Sequence, residues 1–221
     1  MTGRTRPIER RADALSRERI VEAAVALLDV DGEGGLTFRR LAERLRTGPG
    51  AIYNHVANKG ELLAAATDAV LAPVLSAEVT EDVRAVALAV FDAIDAHPWV
   101  GTQLAIAPSQ PAMLRVFERI GRQVRALGVP TGAEFASVSA LTNYIIGVGG
   151  LNAAYARAMA PGTDRTDFLT TISVAWANLD PDEFPFTRDV AGQLRDHDDR
   201  EQFLAGIDLI LDGIRLLGRA G

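Results

Sequence analysis

The stretch from Thr37 to Lys59, TFRRLAERLRTGPGAIYNHVANK, constrains this chain most: its middle cannot be helical while both its ends can. Leu41, Ala42 and Leu45 recur at helical spacing, and Thr37 stands where an N-cap hydroxyl can accept from orphan backbone N–H groups. Arg46-Thr47-Gly48-Pro49-Gly50 then interrupts the helix. The glycines raise backbone entropy, and Pro49 lacks an N–H and pushes Gly48 out of the helical region. Pro49 also suits the first turn of a second short helix, carried by Ala51, Ile52, Tyr53 and Val56. The spacing predicts helix, tight turn, helix.

In a helix-turn-helix the second helix enters the major groove with its N-terminal residues at base edges, and the first crosses the phosphate backbone. Gly50 and Ala51 permit close approach, Tyr53 and His55 carry polar tips for phosphate oxygens, and Asn54 has an amide able to pair with a base edge. Arg39, Arg40, Arg44 and Lys59 surround them with positive charge. The pattern alone fits a packed helix pair with a solvated basic face equally well, because such motifs are short and degenerate.

Charge distribution bears on that choice. The net charge is -6, yet residues 1–60 hold eleven Arg and Lys against eight Asp and Glu, leaving +3 there and -9 over the remainder. The basic end carries the motif. At 221 residues and 48% apolar, the chain is long enough for one sizeable core or two small ones. No apolar run approaches the roughly 20 residues of a bilayer span, and the polar N-terminus lacks the apolar segment of a signal peptide, so a cytoplasmic location without membrane association is expected. With no cysteine, disulfides, thiolate metal sites and cysteine nucleophiles are excluded together.

Thr37-Phe38-Arg39-Arg40-Leu41-Ala42, then Ile52-Tyr53, His55-Val56 and Asn58-Lys59 followed by Glu61-Leu62-Leu63, resemble the DNA-binding domain of the tetracycline-repressor (TetR) family. The likeness covers about the first third of the chain from Ser16. A weaker one, to the tetracycline repressor's own subgroup, continues to Phe203-Leu204-Ala205-Gly206-Ile207-Asp208-Leu209-Ile210-Leu211-Asp212-Gly213. The resemblance implies an all-α, homodimeric, ligand-responsive transcriptional regulator, a repressor, in which Thr37, Phe38, Arg39, Pro49, Gly50, Ala51, Tyr53, Asn54, His55 and Lys59 meet an operator in double-stranded DNA. It departs from the family's pattern at Arg46, where glycine is usual.

Three segments are expected: a flexible basic arm over 1–15, a helix-turn-helix domain over 16–60, and an effector-binding and dimerisation domain over 61–221. Ser16 caps a first helix with an apolar stripe of Ile20, Ala23, Ala24, Leu27 and Leu28, stopping at Asp31-Gly32-Glu33-Gly34-Gly35. A connecting helix runs from Glu61 to about Val74. Further helices open near Thr80, after Ser109, and from Phe135 to Met159, where Thr131 and Glu134 have capping-box spacing. Gly147, Gly150, Ala154 and Ala158 lie near one face of that long helix, permitting close approach of another helix. Others span Asp164 to Leu179 and end near Leu194. The last helix, with Phe203, Ile207, Ile210, Leu211, Ile214 and Leu217, is apolar over too much of its circumference for one partner. With the long helix it would form half of an isologous four-helix interface.

A small-molecule effector is expected between the helices near Thr80, Ser109 and Thr131, with walls of Val86, Val90, Leu104, Val116, Phe117 and Val138 and orienting groups Gln103, Thr142 and Asn143. Where the tetracycline repressor reads His-Leu-Gly-Thr-Arg-Pro, this chain reads Gln103-Leu104-Ala105-Ile106-Ala107-Pro108. An amide replaces the metal-ligating imidazole, so the expected effector is largely apolar and metal-free, with no cofactor. For an enzyme, His197-Asp198-Asp199 is the main candidate, and a solvated loop accounts for it better. There is no Gly-x-Ser-x-Gly and no phosphate loop. The rival reading is an all-helical small-molecule-binding protein or enzyme in which the basic end is idle.

Overall fold

The computed structural model describes residues 15–76, 82–158, 164–195 and 197–219. Among them the structure is all helical. Helix α1 spans Arg17–Gly35, capped by the Ser16 hydroxyl, which accepts from the Arg19 N–H at 3.3 Å. The glycines interrupt it as expected. It breaks at Gly32, whose φ of 62° and ψ of -167° are open essentially to glycine alone, and then completes one more turn. Helices α2 (Phe38–Leu45) and α3 (Pro49–Tyr53) follow. Ile20, Ala24, Leu28, Leu41 and Ile52 are buried where the three meet.

Helix α4 (Lys59–Val74) begins earlier than expected because Asn58 caps it, accepting from the Glu61 N–H at 2.9 Å. Pro73 lies in its last turn, and Leu75 ends it. Helix α5 (Val83–Ala96) is capped by Asp82; Thr80 and Glu81, expected to open it, lie outside the described residues. Most of the basic arm, 1–14, does too. The stretch after His97-Pro98 is helical, as α6 (Pro98–Ile106), with proline at its first position. Helices α7 (Pro111–Ala126) and α8 (Thr131–Ala158) complete the middle of the body. The expected capping box at Thr131 does not form: both Glu134 oxygens accept from Arg125, each at 2.9 Å. A bidentate guanidinium partner is stronger than a single backbone N–H.

Helix α8 lies at the centre, packed on α5, α6, α7 and α11 (Asp199–Arg219). Its small residues divide. Gly150 lies against Gly101 of α6, whereas Gly147 and Ala154 face solvent; the side chain of Ala158 is outside the described set. Helices α9 (Arg165–Ala177) and α10 (Pro185–Arg195) pack on each other, joined by Ser173 donating to the Ala191 carbonyl at 2.7 Å. On α11, Phe203, Ile207, Leu211 and Ile214 are buried, while Leu209 is 77% exposed and Leu216 63%. One contiguous buried cluster runs from Ile20 to Ile214, so head and body share a core.

Candidate nucleic-acid interface

Thr37 caps α2 as expected, accepting from the Arg40 N–H at 3.2 Å. Helix α2 ends at Arg46 in the left-handed conformation, φ 52° and ψ 45°, with its N–H donating back to Ala42 and Glu43. Arg46 thus takes the conformation that glycine adopts without a steric penalty. Replacing Arg46 by glycine should stabilise the chain by about 1 kcal/mol, because relief of the left-handed penalty outweighs the entropy glycine adds. Urea denaturation measures it; an unchanged midpoint would mean that Arg46 is unstrained.

Helix α3 is shorter than the spacing suggested. It stops at Tyr53; Asn54 is its C-cap and Val56 tucks into the core beyond it. Pro49, Gly50, Tyr53 and Asn54 are exposed around this single turn, with Ala51 and His55 half-buried. The Tyr53 ring lies flat on Phe38, centroids 4.4 Å apart and planes 7° from parallel, so α2 fixes where the phenol points. Arg39 projects into solvent, paired along its own helix with Glu43 at 3.0 Å. Such an exposed pair is worth little and can be exchanged for a phosphate.

Two expected cations are engaged within the protein. Lys59 Nζ donates to the Glu33 carbonyl at 2.6 Å, which leaves two of its donors for a phosphate. Arg40 donates to Asp31 at 2.5 Å and to the Gly35 carbonyl at 3.1 Å. Sequence reasoning missed Arg17, which donates to the His55 carbonyl and to Glu61, both at 2.7 Å. Glu61 also accepts from the Ala57 N–H at 2.8 Å. That backbone bond first, and Arg17 second, hold the Glu61 carboxyl below its ordinary value. A depressed carboxyl stabilises the fold above its unfolded value and loses that contribution as pH falls through the folded one. Glu61→Gln should therefore lower Tm near pH 7, and the gap should close as pH approaches about 3. Thermal melts across that range test the sign.

In the body, Val86, Val90, Leu104, Val116 and Val138 are buried, and Phe117 is half-buried against Phe135. Gln103 is 2% exposed, but its amide donates to Glu33 of α1 at 2.7 Å. Thr142 is also 2% exposed, and its hydroxyl has no partner among the described residues, whereas Thr67 satisfies the same group on the Leu63 carbonyl. Asn143 points out of the bundle and does not join the interior set. A groove of about 530 Å³ runs between α1 and α4, lined by Val21, Ala64, Ala65 and Ala69 among others. His197 lies 2.9 Å from Asp199, whose carboxylate also accepts from Arg165 at 2.6 Å, an ion-pair network tying α9 to the start of α11.

A three-helix head offering a short turn of exposed polar residues, carried on a larger helical body, is the layout of a DNA-binding transcriptional regulator. Residues 20–66 match the family described as bacterial regulatory proteins, tetR family, and residues 73–217 match the tetracyclin repressor-like C-terminal domain. The chain belongs to the TetR family. It is 30% identical over 156 residues to the HTH-type transcriptional repressor DrrR1 of Streptomyces coeruleorubidus, covering 66% of this chain and 56% of that one. The chain spans about six-tenths of the length of the curated relatives it matches. The solved structure of the transcriptional regulator SCO7222 of Streptomyces coelicolor is 56% identical, with a TM-score of 0.84 over 93% of this chain and 100% of that one. ActR of the same organism, solved in complex with actinorhodin, is 25% identical, with a TM-score of 0.73 over 91% of this chain and 97% of that one.

Proposed function

We propose that this chain is a homodimeric, cytoplasmic repressor that leaves its operator when a small, largely apolar effector binds its body. It acts by binding and not by catalysis. Residues 16–60 are the reading head, 61–221 the effector and dimerisation domain, and 1–15 a basic arm. The observation that carries the reading is Tyr53, 53% exposed and held against Phe38 at the end of an exposed single-turn helix beside Asn54, Pro49, Gly50 and Arg39. Thr37, Phe38, Ala51, His55 and Lys59 complete the DNA-facing set. Dimerisation is supported by apolar side chains left bare on α8 and α11: Leu151 at 50%, Tyr155 at 57%, and Leu209 and Leu216. Two heads would then read major grooves about 34 to 36 Å apart.

The effector reading is supported by the apolar surroundings of Val86, Val90, Leu104, Val116, Phe117 and Val138, with Thr142 a buried hydroxyl that has no partner among the described residues and can orient a ligand. A buried polar group without a partner is costly, and a ligand supplying the bond recovers that cost. The names of DrrR1, a repressor, and of ActR, a regulator solved with a bound small molecule, agree with this assignment.

Mobility shift on the DNA upstream of the chain's own gene tests the function. A salt-sensitive preference for that fragment over random duplex is expected, and its absence overturns the reading. Titration calorimetry with magnesium and tetracycline is expected to show no binding, since Gln103 supplies an amide already held by Glu33. Magnesium-dependent heat would reverse the effector class.

A further inference from the structure

The last turns of α1 carry three acidic residues at alternate positions, two committed to α6 and one to α2. Asp29 accepts from the Trp99 indole N–H at 2.8 Å and lies 2.7 Å from His97 Nδ1, both at the start of α6. Glu33 accepts from Gln103, one turn further along α6. Asp31 accepts instead from Arg40 of α2. Asp29 and Asp31, two apart on the continuous part of α1, lie nearly opposite each other, whereas Glu33 follows the non-helical Gly32 and reaches α6 because of the kinked backbone and not through helical spacing. Glu33 serves both sides, because its side chain holds α6 and its carbonyl holds Lys59 at the start of α4. The break at Gly32 separates the turn that bears Asp29 from the one that bears Glu33.

Helix α4 alone would leave the head free to roll about the helix axis or to bend with it. A second attachment on a different helix removes that freedom. We infer that the C-terminal turns of α1, through Asp29 and Glu33, are the clip that fixes the head's orientation on the body, with Trp99 and Gln103 of α6 as its positioning residues. Gln103 thereby reports the place of α6 to the head and does not face the effector. The inference rests on the regulatory reading above, since a fixed head matters when two heads must match one operator. An effector that displaced α6 would pull on Glu33 and Asp29 together and free the head from its set angle.

Two pairs of substitutions cut the clip from opposite sides: Trp99→Phe with Gln103→Leu, which preserve interior volume, and Asp29→Ala with Glu33→Ala on the half-exposed side. If one pair fails to fold, the other still reports. The chain has no cysteine, so Arg44→Cys on the head and Arg122→Cys on the body create the only two labelling sites. Pulsed dipolar spectroscopy on spin-labelled full-length chains, diluted into unlabelled protein, gives the head-to-body distance. The intact clip should give one narrow distribution, and either cut pair a broadened or displaced one. On unlabelled protein, affinity is compared for the upstream fragment and for the same fragment lengthened by one or two base pairs between half-sites. The intact protein should discriminate, and cut pairs should lose about tenfold of that discrimination. General destabilisation would weaken binding to all fragments alike.

Unchanged distances, or an equal loss on every fragment, overturn the clip. A widened distance in a protein whose unmodified form prefers no fragment supports the clip and removes the regulatory reading.

Discussion

Replacing Phe203 by alanine is expected to cost about 3–5 kcal/mol of stability, the usual range for a fully buried aromatic. Phe203 is 0% exposed and lies between two rings: Phe91 of α5, with centroids at 4.4 Å, and Tyr144 of α8, at 5.7 Å. The Tyr144 hydroxyl donates to the Phe203 carbonyl at 3.3 Å. It occupies the space that a β-carbon at Gly206 would need, so α11 approaches α8 closely at that turn. Neither neighbour can move far into the void without losing this register, so the cavity should persist. Phe203→Leu retains much of the volume and should cost less, about 1–2 kcal/mol. Urea midpoints at unchanged m-value measure both. A loss below about 1 kcal/mol for alanine would mean that the ring stack does not anchor α11. Because α11 bears Leu209 and Leu216, the alanine variant should also dimerise more weakly, which sedimentation would detect.

Tyr53→Ala should weaken operator binding by about ten- to a hundredfold for each of the two heads, corresponding to one hydrogen bond to a charged phosphate per head. Tyr53→Phe keeps the stack on Phe38 and removes the hydroxyl alone, so it should account for most of that loss. Phe38→Ala leaves the hydroxyl and frees the ring, giving a smaller, orientational loss. Salt dependence separates these effects from that of a cation. A neutral phenol displaces no counter-ion, so the slope of log affinity against log salt should be unchanged in both Tyr53 variants. Arg39→Ala should reduce that slope by about 1.8, roughly 0.9 for each of the two heads. A slope altered by Tyr53→Phe, or full affinity in Tyr53→Ala, would remove Tyr53 from the interface.

Much of this molecule is legible locally. Thr37 and Ser16 cap their helices, and Pro49 starts one, because capping and proline geometry depend on residues within a single turn. The two-sided apolarity of the last helix is likewise real: one face is buried and the other bare. Local reasoning failed where two local rules competed. Glu134 has the spacing of a cap partner but lies within reach of Arg125, and the ion pair won. At Arg46 a position suited to glycine holds arginine in the same left-handed conformation, which spacing alone does not reveal.

The pattern of apolar residues and breaks determined the helices, the helix-turn-helix and the likeness to its family, since each is written within a few residues of chain. Only the tertiary structure decided where long polar side chains end. Gln103, expected at an effector, meets Glu33 seventy residues earlier; Lys59 meets the carbonyl of that same residue; Asn143, one position from buried Thr142, faces outward. Helical periodicity assigns a side chain to a face. The crossing of one helix over another determines which partner that face meets, and a single step along the chain turns a side chain by about 100°.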